Sequence, residues 1–165
     1  MLAMASVSYA QSRRFMVYDG YKYPPEQLPA ISKRPAAYAP PSYISKTNSY
    51  WIPRAPDGHF YLPGNINGHP VSFLVDTGAS STVIPVRVAR NAGIRAAVQV
   101  PVETASGKTT AGASEGNLLT LGVFSLADVK ILVQEGLTTP LLGMDVLSGF
   151  SISHNNGAMT LRPNR

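Results

Sequence analysis

At 165 residues the chain has room for one domain and a tail, and its formal net charge of +5 is unevenly placed. Residues 1–56 carry seven Lys or Arg against two acids, whereas residues 57–165 carry seven of each, so the domain lacks the basic face that nucleic-acid binding requires. Cysteine is absent, which excludes disulfides and thiolate metal sites, and no run approaches the roughly 18 apolar residues of a spanning helix.

Met1 to Ala10 is small and apolar with serines, and it ends Ser8-Tyr9-Ala10 before Gln11. That is a small-x-Ala pattern similar to a signal-peptidase site, although no basic residue precedes it. Residues 1–10 are therefore expected to be the remnant of an export leader, which points to the periplasm, cell envelope or medium, with the cytoplasm as the alternative. Residues 11–56 hold eight prolines between Asp19 and Pro56 and six tyrosines counted from Tyr18, with no sustained period. Such composition predicts extended chain outside the core, either a linker or a pro-segment that fills a cleft until cut away. Its positive charge fits a solvated linker better than attachment to an anionic surface. Trp51 either docks on the domain or binds a partner, and the sequence leaves both open.

Residues 57–165 read as the folded domain, built mostly of strands. Gly58–Pro63 and Gly68–Val75 are short strands parted by Asn65-Ile66-Asn67-Gly68, whose Asn-Gly favours a hairpin. Thr82-Val83-Ile84 continues as a strand, Pro85 suits a first helical position, and Val86 to Asn91 makes a short helix ended by Gly93. Val102–Thr110 reads as a hairpin with Ser106-Gly107 at its tip. Leu118–Phe124 and Val129–Val133 are strands around a turn. Short strands at this spacing predict an all-β fold, a small closed barrel or sandwich with one or two short helices. About 109 residues bury a modest core, which pairing would help to stabilise.

The chemistry centres on Phe73-Leu74-Val75-Asp76-Thr77-Gly78-Ala79-Ser80-Ser81. An apolar strand runs into a tight turn, and a carboxylate there is held rigidly with its oxygens toward a cleft. The Thr77 hydroxyl can lock the turn, and Gly78 permits backbone angles and a close approach that a side chain would forbid. Of the five aspartates, Asp19, Asp57, Asp76, Asp128 and Asp145, only Asp76 precedes Thr-Gly. The tripeptide alone is most often a plain strand-ending turn. Its context is more telling: 65 residues beyond Gly78 stands Gly143, in Leu141-Leu142-Gly143-Met144-Asp145-Val146-Leu147, two apolar residues and a glycine before a short helix-like run.

In this order of parts, residues 57–165 resemble a retropepsin-like (clan AA) aspartic protease of the bacterial single-domain type related to retroviral proteases. The resemblance implies that Asp76 is catalytic, with Thr77, Gly78 and Ala79 supporting the active-site loop. It implies a flap at Thr104, Ala105, Ser106, Gly107 and Lys108, and a strand, Leu141-Leu142-Gly143, threading beside the catalytic loop. Retroviral relatives carry an ion pair between the positions held here by Ser80 and Met144. Both charges are missing together, so no buried charge is orphaned.

Such chemistry needs two carboxylates sharing one proton, and a chain with one copy must borrow the second. The expectation is a homodimeric endopeptidase acting on a polypeptide in extended conformation, with no metal and no cofactor. The alternative is the same dimeric fold kept as a peptide-binding or assembly module with little turnover. Other motifs carry less. Gly107-Lys108-Thr109 matches the end of a phosphate-binding loop, but Val102 stands where that loop needs glycine. His59, His69 and His154 lack the spacing of a zinc helix, and Ser80 and Ser81 lack the glycine frame of a nucleophile elbow.

Overall fold

Alternation along the chain sets the strands. In Tyr61–Ile66 and His69–Val75, every second residue is buried: Leu62, Gly64 and Ile66 in the first, Val71, Phe73 and Val75 in the second. These pair as an antiparallel hairpin from Tyr61↔Leu74 to Ile66↔His69. The turn is Asn67-Gly68, with φ of 50° and 87°, the left-handed pair that a two-residue hairpin loop demands. The computed structural model of the chain describes residues 8–9, 15–17, 41–104 and 107–164.

Numbered along the chain, the strands are β1 (Ser8–Tyr9), β2 (Phe15–Val17), β3 (Ser42–Ile44), β4 (Ser49–Pro53), β5 (Tyr61–Ile66), β6 (His69–Val75) and β7 (Val83–Pro85). After helix α1 (Val86–Asn91) come β8 (Val98–Thr104), β9 (Gly107–Leu121), β10 (Phe124–Gln134) and β11 (Leu141–Leu142). Helix α2 (Met144–Leu147) then leads into β12 (Phe150–Asn155) and β13 (Ala158–Pro163).

The larger sheet closes on itself. Its order runs β10-β7-β11-β6-β5-β9, and β9 returns to pair with β10. The ring leaves no free edge among those six strands, which is how a small β domain avoids edge-to-edge association. Among the described residues the fold is all-β with two short α-helices. β8 hangs on β9 outside the ring, and β2, carrying β1, pairs with β10 at Phe124–Leu126. A second sheet, β12-β13-β4-β3, contributes Tyr50, Ile52, Phe150, Met159 and Leu161 to the same core as Phe73, Phe124 and Leu142.

That second sheet corrects the expectation that nothing before Asp57 is core material. β4 pairs with β13 from Tyr50↔Leu161 to Pro53↔Ala158, and Ile52 is fully buried. Tyr50 makes edge contacts with the Phe124 ring at 5.8 Å and accepts a hydrogen bond from Val123 N–H at 3.2 Å. The prolines that suggested loose chain stand mostly before residue 42, and here Pro53 ends a strand where its missing N–H does least harm. Trp51, between them, faces outward at 36% exposure.

Two further boundaries differ from expectation. The β9–β10 turn falls at Gly122-Val123 rather than after Phe124, because Gly122 takes φ of 60° and its lack of a side chain admits the Tyr50 ring. Asp128, which punctuates the sequence like a turn residue, is instead absorbed within β10 at φ of 56°, where the β9–β10 register shifts as in a β-bulge. Pro85 ends β7 and caps α1 rather than starting it. Helix Val86–Asn91 and the left-handed Gly93, with φ of 67°, stand as the sequence predicts.

Candidate active site

β6 delivers Asp76. With Phe73 and Val75 facing the core, the alternation puts Leu74 and then Asp76 on the opposite face. β11 lies against this strand in parallel, Leu141↔Leu74 and Leu142↔Val75, and also against β7, Leu141↔Val83. Leu74 N–H donates to the Pro140 carbonyl at 2.8 Å, and Asp76 N–H donates to the Leu142 carbonyl at 3.0 Å. The strand Leu141-Leu142-Gly143 is thus wedged between the strand that enters the Asp76 turn and the strand that leaves it.

The turn itself is held by the carboxylate. Gly78 N–H donates to Asp76 Oδ1 at 2.9 Å, and Ala79 N–H to the Asp76 carbonyl at 3.3 Å. A side chain at position 78 would sit 3.2 Å from Asp76 Oδ1, closer than most such contacts. Gly78 does not occupy the left-handed region, so closeness and not backbone angle explains the glycine. The Thr77 hydroxyl has no hydrogen-bond partner among the described residues. Thr77 and Gly78 are exposed, and Asp76 and Ala79 are half-buried.

A second carboxylate braces the loop from below. The Thr82 backbone N–H donates to Asp145 Oδ2 at 3.0 Å, and its hydroxyl donates to Asp145 Oδ1 at 2.9 Å. The hydroxyl oxygen also accepts from Gly143 N–H at 3.2 Å. Asp145 Oδ1, within the first turn of α2, also accepts from Val146 N–H at 3.0 Å. Met144 N–H to the Ala79 carbonyl, at 2.8 Å, and Asp145 N–H to the Ser80 carbonyl, at 3.1 Å, zip the two loops together. Gly143 is indispensable to this packing, because a Cβ there would run into the Ser81 backbone. Ser80 and Met144 carry no charge, and the loops are joined there by backbone bonds and the Thr82–Asp145 clamp.

That clamp went unread in the sequence. Its one signal is a threonine placed where the strand after the Asp76 turn begins, with an aspartate right after the glycine-led helix start. Only the fold shows that they meet.

The predicted flap is a hairpin. β8 and β9 pair from Val98↔Ala113 to Thr104↔Gly107, leaving a two-residue connection at Ala105 and Ser106, which lie outside the described residues. Gly107 takes φ of 115°, and Thr104 Oγ1 donates to its carbonyl at 2.9 Å. Lys108 and its neighbours to Thr110 are exposed, while the stem packs Val100, Val102, Ala111 and Ala113 against Val83 and Leu132. Because Val83 pairs with Leu141, the hairpin is footed on the strand that leaves the Asp76 turn.

The family comparison covers this whole arrangement. Residues 62–149, more than half of the chain, match the family model described as "gag-polyprotein putative aspartyl protease". The chain belongs to the retropepsin-like aspartic proteases. Among solved structures it is similar to the crystal structure of a retropepsin-like aspartic protease from Rickettsia conorii, with a TM-score of 0.56 and 26% identity over 68% of this chain and 89% of that one. No match is found among curated proteins. The retropepsin family match opens at β5 and closes at α2, so it includes the Asp76 turn, the hairpin and β11 and leaves out β3, β4, β12 and β13. Among the described residues no helix is long and apolar enough to cross a membrane.

Proposed function

We propose that this retropepsin-like chain is an aspartic endopeptidase that works as a homodimer, each subunit supplying one Asp76. The observation that carries the reading is Asp76 itself, presented on a turn that its own carboxylate, Leu142 and the Gly143 loop hold in place. Two features favour a second copy as the source of the other carboxylate. Asp145, the other acid of this loop system, is committed to Thr82 and Val146. Thr77 is exposed with its hydroxyl unpartnered among the described residues, suited to bracing an identical loop.

With two carboxyls close together both cannot ionise, so the pair holds one proton. The charged carboxylate takes a proton from a water between them, and the water oxygen attacks the peptide carbonyl carbon. The protonated partner donates to the carbonyl oxygen, and a later proton transfer releases the amine. The reaction needs neither metal nor organic cofactor. The substrate lies as an extended strand, bonded through its backbone to the β8–β9 hairpin above and the floor below.

The test is Asp76→Asn. Shape is kept and a repulsive pair is relieved, so folding and dimerisation stay near normal while cleavage of an unstructured protein at mildly acid pH falls by orders of magnitude. Near wild-type cleavage by the variant would overturn the reading.

A further inference from the structure

The β5–β6 pairing ends at Tyr61↔Leu74, and His59 and Asp76 stand two positions beyond it, one on each chain segment. Tyr61 pairs with Leu74, and Val75 N–H still donates to the Phe60 carbonyl at 2.9 Å after β5 has begun to part from β6. By the two-residue alternation of strands, Tyr61, Leu74 and Asp76 belong to one face, and the His59 ring centre lies 6.5 Å from that of Tyr61. His59 is 58% exposed and Asp57 51%, so this is surface beside the Asp76 turn and not core.

His59 is also oriented. Tyr61 Oη donates to Asp57 Oδ2 at 2.6 Å, and the backbone N–H of His59 donates to Asp57 Oδ1 at 3.0 Å. The same Oδ1 lies 3.5 Å from His59 Nδ1, which turns Nε2 away from the cluster. The Tyr61 hydroxyl and the His59 N–H hold the Asp57 carboxyl below the usual carboxylate range, so it stays charged in mild acid. Two more basic groups pack on the intervening residue: the Arg54 guanidinium lies 5.4 Å from the Phe60 ring centre and the His154 ring 4.8 Å from it. Between Arg54 and Leu62 the chain carries Asp57 as its one acid, beside the basic groups Arg54 and His59.

We propose that His59 is a specificity-determining residue beside Asp76, whose protonated Nε2 pairs with an acidic side chain of the substrate close to the scissile bond, with Asp57 and Tyr61 orienting it. This rests on the protease reading for the scissile bond, but its binding readout is independent of turnover.

Matched statine-type peptides that differ only in Glu or Gln at positions flanking the statine are titrated calorimetrically into wild-type protein and His59→Gln, at about pH 5.5 and about pH 8, within the span where histidine changes charge. Cleavable versions of the same pair are assayed alongside. At the lower pH the wild type should favour Glu over Gln at one flanking position by about two- to fivefold, the range of an exposed charge pair. The preference should vanish at the higher pH and in His59→Gln, with the melting temperature unchanged because His59 is exposed. A preference absent from the wild type, or kept by His59→Gln, overturns the proposal. Equal cleavage of both peptides overturns it and leaves the protease reading intact. A His59-dependent binding preference without cleavage supports it and overturns the protease reading instead.

Discussion

Thr82 and Asp145, 63 positions apart, are joined by two hydrogen bonds, hydroxyl to Oδ1 at 2.9 Å and backbone N–H to Oδ2 at 3.0 Å. The pair ties the strand leaving the Asp76 turn to the helix that follows β11, and Thr82 is fully buried. Thr82→Val keeps the shape but removes a donor to Asp145 and the acceptor of Gly143 N–H. The expected cost is about 1–3 kcal/mol, the penalty of a buried group left unpaired. Melting should fall by several degrees, and cleavage per folded molecule should fall too, because the Asp76 loop loses its brace. Asp145→Asn keeps one acceptor and should be milder. An unchanged melting temperature in Thr82→Val would show that the clamp is ornamental.

Dimerisation predicts a concentration dependence. Specific activity should drop on dilution through the dimer dissociation constant, and sedimentation over the same range should show the dimer giving way to monomer. Ser80 and Met144 carry no charge to pair across the loops, so the transition should be reached at readily measured concentrations. Full activity in a solution shown to be monomeric would refute the shared site.

For the hairpin, Gly107→Val is the informative change. A side chain there meets nothing within 4 Å, so any effect comes from the backbone, at φ of 115°, where a β-branched residue is strained. The tip is exposed and remote from the main core, so melting should move little. Turnover should fall several-fold, because a flap must open and close in register. A sharp loss of melting temperature, with normal cleavage by the molecules that remain folded, would make the segment structural and remove its role as a flap.

Tyr50 tests the part of the chain that reads as tail. It is 7% exposed, packs on Phe124 and Tyr43, and receives Val123 N–H. Tyr50→Ala should destabilise by about 3–5 kcal/mol, as for loss of a buried aromatic. Tyr50→Phe should cost about 1 kcal/mol through the lost hydrogen bond. Urea unfolding of both variants measures this, and wild-type stability in Tyr50→Ala would mean that β4 does not belong to the core.

Some of this molecule is decided within a few residues of chain. The shape of the Asp76 turn comes from its own carboxylate and Gly78, the β5–β6 hairpin from Asn67-Gly68 between alternating strands, and α1 from six residues before a left-handed glycine. Local sterics and hydrogen bonding suffice for these, so they can be read from residue order alone. Other features depend on which distant segments meet. β11 enters between β6 and β7, Asp145 finds Thr82, and Tyr50 fills the space that Gly122 leaves. Each is a long-range choice among many apolar or polar partners of similar chemistry, settled by closing the barrel without voids or unpaired groups. The sequence by itself therefore determined the carboxylate and its turn. What surrounds that carboxylate was decided by tertiary structure, because packing and register, unlike turn chemistry, have no local code.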